Sequence, residues 1–245
     1  NGKSLTSVIE EEVGLPVFID NDSSLVALAE LRFGAAKDKA NVMVINIGWG
    51  VGLGMIVNGS LFRGYNGFAG EFSHIPLFLN NKLCSCGKSG CLETEASMQV
   101  VMARAKEGIA SGRVCALKEI PADYDKACSL IVKAAVNGDQ FAMELLSEMA
   151  YNIGRGIAIL IHILNPELVV LSGRGAQAGK MLLAPVQQAL NIYCIPRLAA
   201  STALDVSSFS NNAELIGAAA LVFENLEKRK PVTKSEAESV LYKMD

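Results

Sequence analysis

Residues 42–57 read VMVINIGWGVGLGMIV, and this stretch decides the fold class of the chain. Two apolar runs within it, VMVINI over 42–47 and VGLGMIV over 51–57, have the length and composition of short buried strands. The tripeptide NGS at 58–60 follows them as a hairpin signal. The stretch therefore predicts neighbouring strands of an α/β domain.

On either side of these two strands, the spacing of apolar residues predicts an alternation of helices and further short strands. Helices are predicted over 4–13, 23–36, 97–110, 126–136, 139–164, 179–193 and 213–225, and strands over 15–19, 168–173 and 203–209. The long helix should end before Pro166, because the residue before a proline avoids helical angles. Segment 112–125 is predicted to be a surface loop, and 226–245 a polar, solvated extension. This alternation is typical of an α/β fold with one or two lobes.

The composition limits the classes of protein to which this chain can belong. The chain has 245 residues, 51% hydrophobic and 19% charged, so it can bury a core of ordinary size. Its longest strongly apolar run, at 156–164, is too short to span a bilayer, and no signal-peptide pattern opens the chain, so we expect a cytoplasmic protein. A net charge of −3 offers no basic surface for nucleic acid. Because Asn1 enters a helical pattern almost at once, we expect the later part of a longer product.

The motif CSCGKSGCLE at 84–93 places three cysteines within eight residues, with a histidine ten positions upstream. The candidate ligands follow the pattern H-x9-C-x-C-x4-C and are His74, Cys84, Cys86 and Cys91. Three thiolates and one imidazole form the closed tetrahedral set of a structural zinc site, whereas a catalytic zinc keeps one position open. The alternative is a reduced or disulfide-linked loop without metal, although a disulfide would leave one cysteine unexplained.

Polar residues on either side of this motif are candidates for sugar binding, since carboxylates and an amide accept hydrogen bonds from sugar hydroxyls. Asn21 and Asp22 are adjacent in IDNDSSLVALAE. A zinc ligand three residues after Glu71, and another two residues before Glu93, would fix both carboxylates relative to each other. Three residues of this region have a simpler alternative: Asp22 as a helix N-cap, Glu93 as a solvated first-turn acid and His74 as a core histidine.

Glycine occupies every second position from 48 to 54 in NIGWGVGLGMI. This spacing leaves one face of an extended segment without side chains, which would let a ligand or phosphate approach the backbone N–H groups. A tightly packed hairpin that crosses another backbone would explain the same spacing. The sequence does not separate these two interpretations.

With these elements in order, the chain resembles the ROK family, which joins bacterial sugar kinases and sugar-responsive transcriptional repressors. The motifs that carry the resemblance are NDSSLVALAE, GWGVGLGMIVNGSLFRGYNGFAGEFSH, CSCGKSGCLE, NPELVVLSGRG and AELIGAAAL. The family implies an actin-like, sugar-kinase (ribonuclease H-like) fold. Residues 1–225 would form its sugar-binding region, mostly the C-terminal lobe, with a zinc knuckle over 74–91. Self-association as a homodimer or homotetramer is also expected from the family.

By motif position, the resemblance assigns a role to each candidate residue. Sugar or sugar phosphate would be bound by Asn21, Asp22, Glu71, His74 and Glu93, and a structural Zn²⁺ by His74, Cys84, Cys86 and Cys91. In a kinase, Asp22 would be the general base. Mg-ATP would face Gly48, Gly50 and Gly52, together with Gly173 and Gly175 of the SGRG turn. Because phosphoryl transfer depends mainly on positioning and charge stabilisation, loss of these phosphate contacts would remove most of the catalysis.

Several positions depart from the kinase pattern. Kinase members usually read Asp-x-Gly-Thr-Gly where this chain has NIGWG at 46–50. Asn46 therefore replaces an acid, and Trp49 replaces a small hydroxyl residue. Arg174 stands where a run of glycines is usual. Ser73 replaces the glycine usual before the zinc histidine, with no predicted effect.

The leading hypothesis is the sugar-sensing and oligomerisation region of a ROK repressor of carbohydrate genes, which would bind DNA through a region not in this chain. The alternative is an ATP-dependent hexose or N-acylhexosamine kinase, a glucokinase-like phosphotransferase with Asp22 as base. Residues 1–13 do not supply the Asp-x-Gly-x-Thr phosphate loop of that kinase. A zinc-stabilised structural module without a ligand is a third possibility, disfavoured by five aligned polar residues.

Overall fold

The computed structural model describes residues 2–228 of the chain. Its strands are β1 (Val42–Ile47), β2 (Val51–Val57), β3 (Ser60–Phe62), β4 (Leu168–Ser172) and β5 (Ala203–Val206). Its α-helices are α1 (Leu5–Val13), α2 (Asp22–Phe33), α3 (Glu93–Ala96), α4 (Met98–Ala110), α5 (Tyr124–Val136), α6 (Gln140–Leu164), α7 (Leu183–Tyr193), α8 (Pro196–Ser201) and α9 (Ala213–Lys228). Short 3-10 segments lie at Phe72–His74, Arg174–Leu182 and Ser210–Asn212.

The five strands form one mixed sheet in the order β3-β2-β1-β4-β5. β1, β2 and β3 are antiparallel neighbours, whereas β4 runs parallel to β1, and β5 to β4. Asn58 and Gly59 join β2 to β3 with φ angles of 52° and 71°, as a type I′ hairpin requires. The hairpin prediction is confirmed, and so is the mixed α/β fold of the actin-like, ribonuclease H-like type.

The central strand β1 is buried along its whole length. Its side chains alternate between the two faces of the sheet. Val42 and Val44 belong to a core cluster with Val26 of α2, whereas Met43 packs into the larger core that contains Ile153 of α6. Because both faces are covered by helices, a ligand can reach this part of the sheet only at the ends of its strands.

Two predicted strands differ from the structure. Residues 15–19 pair with no strand of the described chain; Pro16 lacks a backbone N–H, and Ile19 is 55% exposed. The strand predicted over 203–209 ends at Val206. It ends there because the chain turns: the N–H of Phe209 donates to the Ser207 hydroxyl at 3.2 Å.

The helix predicted over 179–193 begins later, at Leu183. Gly179 has a φ of 68° and interrupts the 3-10 segment that precedes it. The short helices α3 and α8 were not predicted. The other helices lie where the apolar spacing places them, within three residues at each end.

The predicted surface loop lies between α4 and α5, and it anchors itself to the protein through the buried side chains of Leu117 and Ile120. Helix α9 continues to Lys228, so the predicted polar extension from 226 begins inside this helix. The rest of that extension, 229–245, lies outside the described residues. Within residues 2–228, no helix has the combination of length and apolarity that crossing a membrane requires.

Candidate functional site

A cavity of about 460 Å³ opens beside the turn that joins β1 to β2. The start of α2, the segment 67–74 and the start of α3 form its other walls. The five residues that the resemblance assigns to sugar binding all line it: Asn21, Asp22, Glu71, His74 and Glu93. Residues separated by more than 70 positions in sequence are thereby brought to one place.

The start of α2 presents Asn21 and Asp22 to the cavity. The N-cap of this helix is Asn21, whose Oδ1 accepts the N–H groups of Ser23 at 2.9 Å and Ser24 at 3.3 Å. The capping role considered for Asp22 therefore belongs to its neighbour. Asp22 is the first helical residue and is exposed, and its Oδ1 accepts the Ser23 hydroxyl at 3.1 Å. This contact orients one carboxylate oxygen and leaves the other to the cavity.

The alternating glycines of β2 have two different functions in the structure. A Cβ at Gly52 would overlap the Ser23 hydroxyl, and a Cβ at Gly54 would overlap the side chain of Ala27. At these two positions the close-packing interpretation is correct, because the missing side chains let α2 lie directly on the strand. Gly50 instead leaves room for Glu93, whose Oε2 would lie 2.7 Å from an added Cβ.

Ser73 orients the carboxylate of Glu93. The Ser73 hydroxyl is 3% exposed, and its Oγ donates to Glu93 Oε2 at 3.4 Å. Glu93 is the first residue of α3, so its backbone is fixed by that helix as well. Sequence reasoning noted Ser73 as a departure from the family pattern but missed this contact, because the two residues are 20 positions apart.

The four predicted metal ligands lie together. One donor atom from each of His74, Cys84, Cys86 and Cys91 lies within 4.8 Å of the others. The cysteines are free thiols, and Cys86 Sγ lies 3.6 Å from Cys91 Sγ, well beyond the roughly 2 Å of a disulfide bond. This Cys₃His set fits the closed tetrahedral coordination of structural zinc, and it could hold that ion.

The thiols of this cluster differ in acidity. Burial raises the pKa of Cys91 to about 12, whereas the backbone N–H of Lys88 lowers the pKa of Cys86 from its ordinary value. Thiols must lose their protons to bind zinc. Loading the cluster therefore releases protons, including one from the buried Cys91.

The loop around the cluster is held by turns and by one buried carboxylate. Gly90 has a φ of 77°, and a Cβ there would overlap the backbone oxygen of Phe78. Glu95, 9% exposed, accepts the Asn80 side-chain amide at 2.6 Å and forms an ion pair with Lys82 at 2.7 Å. Glu95 thus fastens the loop before the cysteines to α3, the helix that carries Glu93. No sequence signal had singled out Glu95.

Part of the cavity lining is aromatic and carries one guanidinium. Trp49 packs edge-on against Tyr124, with ring centroids 5.3 Å apart, and the Trp49 side chain is 57% exposed. Burial raises the pKa of the Tyr124 hydroxyl, which is therefore neutral. Arg174 lies over the Tyr124 ring at 5.7 Å, is ion-paired with Asp125 and has a Glu214 oxygen 4.0 Å away.

The five glycines that the resemblance assigns to nucleotide binding do not share one environment. Gly48, Gly50 and Gly52 line the cavity. Gly173 has a φ of 83° and is pressed against the Asn46 side chain, and Gly175 is pressed against Ile47. These two pack the SGRG turn onto β1 and do not line the cavity, whereas Arg174 between them does.

Comparisons with known proteins agree with this architecture. The family model described as "ROK family" matches residues 1–225. A glucokinase from Halalkalibacterium halodurans is 38% identical over 223 residues, which cover 89% of this chain and 67% of that protein. The DNA-binding transcriptional dual regulator NagC of Escherichia coli is 33% identical over 218 residues, which cover 89% of this chain and 52% of the regulator.

Among solved structures, the crystal structure of a ROK family transcriptional regulator, a homologue of the E. coli Mlc protein, superposes with a TM-score of 0.77 at 32% identity. The match covers 89% of this chain and 54% of that chain. The chain thus spans two thirds of the length of one kinase relative and about half the length of the regulators. Similarity extends to both functional classes at comparable levels.

Proposed function

Because the chain belongs to the ROK family, we propose that it is the sugar-sensing and oligomerisation region of a transcriptional regulator of carbohydrate genes. The DNA-binding region would lie outside this chain. The observation that carries the proposal is the wall formed by Trp49, which lies beside the sugar-binding residues where a kinase needs contacts to phosphate.

Trp49 and Asn46 both disfavour phosphoryl transfer. An indole ring has no hydroxyl to offer a phosphate, and Trp49 is held against Tyr124 at the turn between β1 and β2. Asn46 is 5% exposed, and its amide donates to the Ser23 hydroxyl at 3.4 Å. An amide is a poorer ligand for Mg²⁺ than the carboxylate usual at this position in kinases. These two residues therefore support a protein that binds a sugar without phosphorylating it.

The other walls suit sugar hydroxyls. The carboxylates of Asp22, Glu71 and Glu93 accept hydrogen bonds, and the exposed Asn21 amide can donate them. Zinc at the Cys₃His cluster would be structural, and it would fix His74 and the turn that leads to Glu93. Sugar binding would then shift the population of conformations that bind DNA. The sugar-binding role of each residue is part of the proposal.

The test uses the intact natural protein and a labelled fragment of the DNA upstream of its own gene. Fluorescence anisotropy would measure DNA affinity without sugar and with xylose, glucose or N-acetylglucosamine. We expect one sugar to change DNA affinity by at least about fivefold, the lower end of allosteric couplings. Asp22→Asn should abolish the sugar response and leave DNA affinity unchanged. A protein that binds neither sugar nor DNA would contradict the proposal.

A second candidate function is an ATP-dependent hexose or N-acylhexosamine kinase with Asp22 as general base. The 38% identity to a glucokinase favours it, as does the position of the Asp22 carboxylate in the cavity. Coupled measurement of ADP release across the same sugars decides between the two. Sugar-dependent ADP release that Asp22→Asn removes would replace the regulator proposal with the kinase.

A further inference from the structure

We infer that Asp125 and Glu214, by neutralising Arg174, make this cavity selective for unphosphorylated sugars. The inference rests on the proposed function, since it names the chemical class of the ligand of the same site. It assigns a specificity role to two carboxylates on α5 and α9 that no sequence motif had indicated.

The charges that line the cavity are predominantly negative. In the described chain, four carboxylates line it: Asp22, Glu71, Glu93 and Glu214. Arg174 is the one lysine or arginine side chain among its lining residues in residues 2–228. A cavity of this composition repels a phosphate group, which carries a charge of about −1.5 to −2 at neutral pH.

Arg174 is already engaged by acids of the protein. Its Nη2 donates to Asp125 Oδ2 at 3.4 Å, its Nε faces the other oxygen of that carboxylate, and a Glu214 oxygen lies 4.0 Å from Nη1. Its guanidinium also lies over the Tyr124 ring. Two carboxylates therefore share the charge of one guanidinium, so that a phosphate would have to compete with both for it.

Three backbone N–H groups at the cavity are already engaged by the protein. A helix N-terminus is a common anion site, but at the start of α2 the N–H groups of Ser23 and Ser24 are both taken by Asn21 Oδ1. The N–H of Gly48 is bonded to the backbone oxygen of Gly50 at 2.9 Å. These donors point at acceptors of the protein and not at the cavity.

Bound zinc would not make the charge of the cavity wall positive. Three thiolates carry more negative charge than one divalent ion carries positive charge, so a loaded Cys₃His cluster adds no net positive charge to the wall. His74 Nε2 lies 3.6 Å from Glu71 Oε2, so this imidazole also has a carboxylate partner. An uncharged sugar meets no such repulsion, because its hydroxyls donate to the same carboxylates.

The test is isothermal titration calorimetry on the intact natural protein with glucose and N-acetylglucosamine, each against its 6-phosphate. We expect saturable binding of at least one neutral sugar and at least about 100-fold weaker binding of its phosphate. Because salt screens electrostatic repulsion, the difference in affinity between the neutral sugar and its phosphate should become smaller as NaCl rises from about 0.05 M to 0.5 M. Affinity for the neutral sugar should stay constant over the same range.

Substitution of the ion pair tests the assignment to particular residues. Asp125→Asn removes one partner of Arg174 and should raise affinity for the sugar phosphate by about tenfold, with little change for the neutral sugar. Glu148→Gln is the matched control, since it also removes one carboxylate of an exposed ion pair, with Arg104, in a groove that shares no residue with the cavity. Neither affinity should change in this control.

Three outcomes overturn the inference and are distinguishable. If the sugar phosphate binds as tightly as the neutral sugar or more tightly, the charge selection is wrong and the sugar-sensing function stands. If neither the sugars nor their phosphates bind, the proposed function fails and the inference fails with it. A phosphate affinity that Asp125→Asn leaves unchanged would show that this ion pair does not set the selectivity.

Discussion

His74 Nε2 lies 3.6 Å from a carboxylate oxygen of Glu71, while Nδ1 of the same ring lies 3.5 Å from Cys84 Sγ. One imidazole therefore belongs to two sites at once. With its Nδ1 on a metal, the ring would donate its other N–H toward Glu71, an arrangement that commonly orients metal-bound histidines. The metal cluster and the wall of the cavity are coupled through this side chain.

Removal of zinc should weaken sugar binding by about tenfold to 100-fold, because the ring of His74 and the start of α3 lose their anchor. Calorimetric titration of chelator-treated protein, with metal content measured in parallel, checks this expectation. Reloading with Zn²⁺ should restore the affinity.

The Cys86→Ser variant should behave like the metal-free protein, since it removes one ligand. Cys115→Ser, which changes a cysteine outside the cluster, is its control. Equal sugar affinity with and without metal would contradict the coupling.

Loss of the Ser73 hydroxyl should weaken sugar binding by about fivefold, since one hydrogen bond contributes roughly 1 kcal/mol. The Ser73→Ala variant leaves the Glu93 carboxylate without its 3.4 Å donor and free to turn. Calorimetry with the preferred sugar measures the effect. Ser111→Ala, at the exposed end of α4, should leave sugar affinity unchanged. An unchanged affinity in Ser73→Ala would mean that α3 alone fixes Glu93.

The contribution of Glu30 to the stability of the protein should fall as pH rises above about 4.5. This carboxyl is fully buried, and burial raises its pKa above the ordinary value of 4.5. The folded protein therefore binds this proton more tightly than the unfolded chain, so the contribution of Glu30 is fully present below the unfolded pKa. It is lost as pH rises through the folded pKa.

Urea unfolding of the wild-type protein and of Glu30→Gln, between about pH 4.5 and 8, isolates this contribution. The amide oxygen of glutamine can still accept the Ala35 N–H that Glu30 accepts at 2.9 Å. The stability difference between the two proteins should grow with pH in favour of Glu30→Gln. A difference that does not depend on pH would contradict this prediction, because it would mean that Glu30 has the same pKa in the folded and the unfolded protein.

Trp49 should report on ligand binding, because it is the single tryptophan of the chain and lines the cavity. We expect its emission to change saturably with the preferred neutral sugar and not with Mg-ATP. Fluorescence titration measures both responses, and Trp49→Phe, which keeps an aromatic ring against Tyr124, is the control for signal from tyrosines. A saturable response to Mg-ATP would favour the kinase.

Local patterns were enough to predict most of the fold. The apolar runs of β1 and β2, the Asn58-Gly59 turn and the long α6 all follow from residue spacing and turn chemistry. The strand predicted over 15–19 was wrong, because an extended apolar run becomes a strand only where a neighbouring strand offers hydrogen bonds. No described strand pairs with this segment.

The candidate site could also be predicted only in part from the sequence. The clustering of the Cys₃His set could be predicted because cysteine and histidine have few reasons to lie so close together in sequence. The N-cap role considered for Asp22 belongs to Asn21, a difference of one residue that spacing alone could not resolve. Tyr124, Asp125 and Glu214 could not be found, since they reach Trp49 and Arg174 only through tertiary packing.

A single residue, Leu92, separates Cys91 from Glu93, and Leu92 is fully buried. The wall of the cavity therefore depends on the chain length at this point, because one inserted residue here would rotate Glu93 away or pull Cys91 out of the cluster. Among relatives, the register between Cys91 and Glu93 should stay constant.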